Sequence, residues 1–132
     1  MKFSYKKYAG RYLRPVIPIE VTHGGISLKY EVLVDSGADL CIFDAEIGGL
    51  LSLDMKSGER LPVSGITGVV EYYYAHEVTI RVGGQPFKVK VGFLKNFAKF
   101  GYGVVGQVGF FDMFVVKFDL LKSEIELKPR KF

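Results

Sequence analysis

Along most of this chain the apolar residues recur with a period of two rather than 3.6, and turn signals break the alternation about every eight to twelve residues. That rhythm fits short, half-buried strands and leaves little room for an amphipathic helix. Val16, Ile17 and Ile19 to Val21 read as a strand, His23-Gly24-Gly25 as a turn, and Ile26 to Val34 as a second strand running directly into Asp35. Leu40 to Phe43 reads as a short strand, followed by a loop or helical turn over Asp44 to Leu50. Arg60 to Val63 and Val69 to Tyr74 flank Ser64-Gly65-Ile66-Thr67-Gly68, the pattern of a hairpin whose glycines let its tip move. His76 to Val82 and Phe87 to Phe93 form another hairpin across Gly83-Gly84-Gln85-Pro86. Gly109 to Phe114 is the one convincing helix, with Asp112 on its polar side, and Val115 to Asp119 with Glu124 to Leu127 close the chain as a hairpin. The expectation is an all-β domain, a sandwich or small barrel.

Composition supports this architecture. The 132 residues suffice for one domain that buries a core without disulfides or metals, and 16 glycines with 48% apolar residues suit many strands joined by tight turns. Cys41 is the single cysteine, which excludes an intramolecular disulfide and a cysteine-built zinc site and fits a reducing compartment. Met1 to Arg14 has no continuous apolar stretch of the signal-peptide kind, and no later run reaches membrane-spanning length, so a soluble, cytoplasmic protein without a membrane partner is expected. The net charge of +4 is spread over scattered lysines and arginines, the pattern of a solvated surface rather than a nucleic-acid site.

The most informative segment is Val32-Leu33-Val34-Asp35-Ser36-Gly37-Ala38-Asp39. An Asp-Ser/Thr-Gly tripeptide arises by chance in about 6% of chains this long. Its context adds weight, because the acid follows three apolar residues and precedes two small ones, so it emerges from a buried strand into a tight loop. A single carboxylate cannot run peptide hydrolysis. Two must share a proton, one activating water while the other protonates or polarises the scissile carbonyl. No second Asp-Ser/Thr-Gly occurs in the chain, and a two-fold axis beside Asp35 would supply the mate from an identical subunit.

With these residues in view, the chain resembles the retropepsins, the single-domain aspartic peptidases of retroviruses and their cellular relatives. Leu33 to Asp39 resembles their active-site loop, and Gly103-Val104-Val105-Gly106-Gln107 resembles the later hydrophobic-hydrophobic-glycine element that crosses beneath it. Ser64 to Gly68 resembles the flap tip. The resemblance covers residues 13 to 128, leaving residues 1 to 12 as a basic N-terminal arm and residues 129 to 132 as a basic tail. It implies a small closed β-barrel with one short C-terminal helix, working as a homodimer on a peptide or protein substrate without a cofactor. It further implies Asp35 as the catalytic carboxylate, Ser36 as a hydroxyl bracing the two loops across the dimer, Gly37 as a backbone contact to substrate and Ala38 as a compact spacer. Asp39 would bind substrate main chain, while Gly65, Ile66 and Thr67 would close over it. Leu61, Val63, Ile66 and Val105 would line apolar pockets. Three departures accompany this, the first being that the tail continues past Leu127 as Lys128-Pro129-Arg130-Lys131-Phe132. The terminal strands that pair across the viral dimers are not recognisable in Met1 to Arg11, and Gln107 stands where the viral pattern has a basic residue, as in the cellular and prokaryotic branch.

Competing readings are more ordinary. Asp35 can be a structural Asx-turn residue, and the same fold can serve as a catalytically silent protein-binding or dimerisation module; a basic barrel that binds nucleic acid is more distant. Gly101-Tyr102-Gly103-Val104-Val105-Gly106 fits the dinucleotide fingerprint, but the residues after it are too few for the remaining βαβ units. His23 and His76 lack spaced metal ligands, Cys41 reads as a buried small hydrophobe, and Tyr72 to Tyr74 read as packing residues on a cleft wall.

Overall fold

A computed structural model describes residues 1–8, 10–64, 68–97 and 101–131. Strands β4 (Val16–His23) and β5 (Ile26–Val34) pair antiparallel along their whole length, from Val16 opposite Leu33 to His23 opposite Ile26. Their two-residue turn places Gly24 and Gly25 at φ of 56° and 81°, which glycine adopts freely and which matches the twist of the flanking strands. β6 (Cys41–Asp44) leads into the short helix α1 (Ala45–Leu50), whose first turn is capped by the Asp44 carboxylate accepting from the Glu46 N–H. β7 (Glu59–Ser64), β8 (Val70–Val82), β9 (Gln85–Leu94) and β10 (Gly103–Val105) complete the main sheet, ordered β4-β5-β10-β6-β9-β8-β7.

An added pairing of β4 with β8, Val21 opposite Ile80, joins the two sides of this sheet and closes a six-stranded barrel. Its interior holds Ile17, Val21, Val32, Phe43, Ile80, Val91 and Val105, all fully excluded from water. Beyond the barrel a three-stranded sheet orders β1 (Lys2–Ser4), β12 (Glu124–Pro129) and β11 (Phe114–Asp119), and it turns Phe114, Ile125 and Leu127 onto the same core. A smaller cluster of Tyr73, Ala75 and Leu94 packs under β7 with Leu61, Val63 and Ile42.

The all-β expectation holds, with three differences of detail. Val69 to Tyr74 and His76 to Val82 are one continuous 13-residue strand serving two hairpins, because no glycine or proline interrupts Val70 to Val82. The short helical segment near the C-terminus is a wide turn over Gln107–Phe111 interrupted at Val108 and Gly109, and Phe114 already belongs to β11. The N-terminal arm is built into strands: β1 pairs with β12, and β2 (Lys6–Tyr8) pairs with β3 (Tyr12–Arg14) across Gly10. Three-residue strands rich in Lys and Tyr carry too short an alternation to be read locally, and β1 is held by a partner about 120 residues away in sequence.

Candidate active site

β10 lies between β5 and β6, parallel to β5 and antiparallel to β6. The chain leaves β5 at Asp35, passes over the end of β10 through residues 36–40, and returns as β6 on the other side. Asp35 is tied to the strand beneath it by its N–H, which donates to the Val105 carbonyl at 3.0 Å. The crossing is tight enough to require glycine at its centre. A Cβ on Gly106 would lie 2.5 Å from the Ala38 carbonyl oxygen and 2.6 Å from that of Leu40. Gly103 is constrained in the same way, its missing Cβ falling 2.7 Å from the Tyr30 ring and 2.9 Å from Phe43. Two glycines of the dinucleotide-like pattern thus serve close packing around a buried strand, with no helix opening on a phosphate site.

Three hydrogen bonds from the segment after Gly106 hold the loop. The Gln107 N–H donates to the Ala38 carbonyl at 2.8 Å, the Val108 N–H to the Asp39 carbonyl at 2.9 Å, and the Gln107 side-chain amide to the Ser36 carbonyl at 2.6 Å. Sequence reading noted Gln107 only as a departure from the viral pattern, and its bracing role was missed. The signal available was its position immediately after the glycine that must sit under the loop.

Within this frame Asp35 is half-buried. Its Oδ1 accepts the Gly37 N–H at 2.9 Å, and its carbonyl accepts the Ala38 N–H at 3.2 Å, an Asx-type turn that orients the carboxylate. Among the described residues Oδ2 has no donor, which leaves that oxygen for water or for a second acid. Ser36, Gly37 and Asp39 are exposed and Ala38 is half-buried, so the loop presents itself to whatever approaches the mouth of the crossing.

Beside the loop lies an open depression of about 340 Å³ walled by Ala38, Asp39, Leu40, Ile42, Val63 and Tyr73. The structure thereby brings together the loop residues, Val63 from the hairpin of β7 and β8 and Tyr73, which the sequence places on a cleft wall, and it adds Leu40 and Ile42, which the sequence reading did not assign to the site. Tyr73 faces inward opposite Leu61, and its ring rests on Gly92, where a Cβ would lie 2.5 Å from Cδ2. Val105 is fully buried in the core and meets the loop through its carbonyl. Gly65, Ile66 and Thr67 lie outside the described residues. A second cavity, also about 340 Å³, sits on the other face of β8 between Met55, Tyr72, Tyr74 and Phe93 and contains no loop residue. Cys41, at the start of β6, is fully buried with its thiol pushed up to about 11 by desolvation, the state of a packing residue rather than a nucleophile.

No protein-family model matches the chain, and no curated protein does. Among solved structures, the EIAV protease in complex with an inhibitor matches with a TM-score of 0.50 at 19% identity, over 76% of this chain and 88% of that one. At that identity the likeness speaks to architecture. The closed barrel, the crossing of β10 beneath the Asp35 loop and the match in fold lead to one conclusion: this chain has the retropepsin-like fold.

Proposed function

We propose that the chain is one half of a homodimeric aspartic endopeptidase whose two Asp35 carboxylates, one from each subunit, activate a single water against a peptide bond. The observation that carries this reading is the placement of Asp35: a half-buried acid at the mouth of a rigid crossing, one oxygen fixed by a backbone N–H and the other without a donor among the described residues. Two such groups in contact cannot both ionise, so the pair retains one proton. The ionised partner removes a proton from water as it attacks the scissile carbonyl, while the protonated partner donates to the carbonyl oxygen. Collapse of the resulting gem-diol moves a proton to the leaving nitrogen and restores the shared state.

The depression walled by Val63, Ile42 and Tyr73 supports an extended apolar-flanked peptide as the substrate class, laid between the loop and the hairpin of β7 and β8 as an added strand. Asp39 and the backbone at Gly37 are suited to its main chain, and Gly65, Ile66 and Thr67 are assigned to the cover that excludes water.

Asp35→Asn tests this reading. On a quenched fluorescent peptide library, kcat/KM should fall by at least about 10³-fold while the variant stays folded and dimeric. A mixing experiment is sharper. If the two acids form one site, mixing wild-type and Asp35→Asn chains under exchange at constant total chain concentration reduces activity as the square of the wild-type fraction, to about a quarter at equal amounts. A linear fall, or activity surviving in the pure variant, removes the shared-carboxylate mechanism.

A further inference from the structure

The net charge of +4 is scattered along the sequence, but the fold sorts it. Residues 1–14 and 114–132 carry ten Lys or Arg against three acids, whereas residues 15–113 carry eight against eleven. The two terminal segments are brought together by the pairing of β12 with both β1 and β11, and by the Tyr5 N–H donating to the Ser123 carbonyl at 2.8 Å. One layer of the molecule is therefore strongly basic, while the barrel beside it carries a small excess of acids.

The same layer exposes apolar side chains at a place where chains are ordinarily polar. The turn from β11 to β12 is held by backbone and polar groups alone. The Lys122 N–H donates to the Asp119 carboxylate at 3.1 Å, the Ser123 N–H donates to the Leu120 carbonyl at 3.1 Å, and Ser123 takes a left-handed φ of 52°. Nothing in this turn calls for a large side chain at its centre, yet Leu120 is 73% and Leu121 99% exposed, with Phe118, 40% exposed, at their base. Because the turn already fixes their backbone, burying them requires little further ordering. Beside it, β2 starts at Lys6, directly after Tyr5. The β2–β3 hairpin turns Lys6 toward Glu31 and Arg14 toward the Tyr102 hydroxyl, and its other face carries Lys7 opposite Leu13, which is 47% exposed. Lys7, Arg11, Lys117 and Lys122 have no ion pair among the described residues. The acids nearby are mostly engaged: Glu31 holds Lys6, Glu126 faces Lys2 at 3.9 Å and Asp119 caps the turn, while Glu124 shares a shallow polar depression with Lys117 and Lys122.

We propose that this layer docks on the surface of an anionic lipid bilayer, with Leu120 and Leu121 entering the acyl boundary and Lys7, Arg11, Lys117 and Lys122 meeting the lipid headgroups. Charge alone would serve a nucleic acid equally well. The apolar tip selects the bilayer, because two leucines projecting from a fixed turn gain nothing against a phosphodiester backbone. The expectation of no membrane partner rested on the lack of a spanning run. No helix among the described residues is long and apolar enough to cross a membrane, and a surface contact made by a folded tip needs none. The contact is independent of the peptidase reading.

Co-sedimentation of the full chain with vesicles tests it. The protein should pellet with phosphatidylcholine vesicles containing about 30% phosphatidylserine and stay in solution with phosphatidylcholine alone. Raising salt from about 0.05 to 0.5 M should weaken the binding about tenfold or more. Leu120→Ser combined with Leu121→Ser, and separately Lys7→Glu combined with Arg11→Glu, should each weaken it by about tenfold or more at unchanged Tm. The chain has no tryptophan, so Leu121→Trp adds a single indole whose emission should shift to the blue on the anionic vesicles, a readout that stands even if the serine variants fold poorly. A wild-type chain that stays in solution with anionic vesicles at low salt, folded serine variants that bind as wild type does, or an indole whose emission does not move overturns the proposal. Binding to a nucleic-acid duplex without binding to vesicles overturns it too, and assigns the basic layer to that partner.

Discussion

Replacing Gly106 with alanine probes the contact on which the site's geometry depends. The added Cβ would meet two carbonyl oxygens at 2.5 and 2.6 Å, and relief to 3.0 Å requires each to withdraw by about half an ångström. Neither oxygen belongs to a flexible side chain. The Ala38 carbonyl is held by the Gln107 N–H at 2.8 Å, and the neighbouring Asp39 carbonyl by the Val108 N–H at 2.9 Å, so the loop can move only by breaking bonds to the segment that carries the new methyl. Overpacking of this kind costs about 1–3 kcal/mol, which for a domain of this size lowers Tm by about 4–12 °C. Because Asp35 rides on the displaced loop, activity should fall further than stability, by about 100-fold for a shift approaching an ångström. Thermal unfolding with a denaturant midpoint at unchanged m value reads the first effect, and kcat/KM reads the second. Gly49→Ala is the internal control: nothing lies within 4 Å of its missing Cβ, and within α1 the change should stabilise by about 0.5–1 kcal/mol. A Gly106→Ala protein that melts within about 1 °C of wild type would refute the packing argument outright.

Gln107→Ala removes the amide that donates to Ser36, an exposed bond whose loss costs under about 1 kcal/mol of stability. Catalysis should fall about tenfold with Tm nearly unchanged, and equal loss of both would show that Gln107 merely stabilises the fold. At alkaline pH two buried acids set the slope. Desolvation lifts the Cys41 thiol from 9.0 to about 11 and the Tyr30 phenol from 10.0 to about 12. The unfolded chain releases these protons first, so their contribution is intact below about pH 9 and is lost as pH rises through 9–11 for the thiol and 10–12 for the phenol. Each is on the order of 2 kcal/mol by linkage, and urea midpoints between pH 8 and 11 should flatten in Cys41→Ala. An unchanged slope in that variant would remove Cys41 from the account.

Much of this protein is legible in the sequence because much of it is local. Alternation over Ile26 to Val34 specifies a strand, Gly24-Gly25 specifies the turn before it, and the small residues after Asp35 specify a tight loop; each depends on neighbours within a few positions. The pairing of the loop with Gly106, about 70 residues later, was visible only through a resemblance. What tertiary structure decided is the remainder: that the acid's loop passes over β10 rather than beside it, that the Gln107 amide reaches Ser36, that Ile42 walls the depression, and that Lys2–Ser4 closes onto β12. These contacts join segments distant in sequence, and their cost in loop closure is offset only when the whole barrel forms. No local pattern records them. Asp35 is therefore written in the chain as one residue, while its orientation and its open oxygen exist only once the fold has closed.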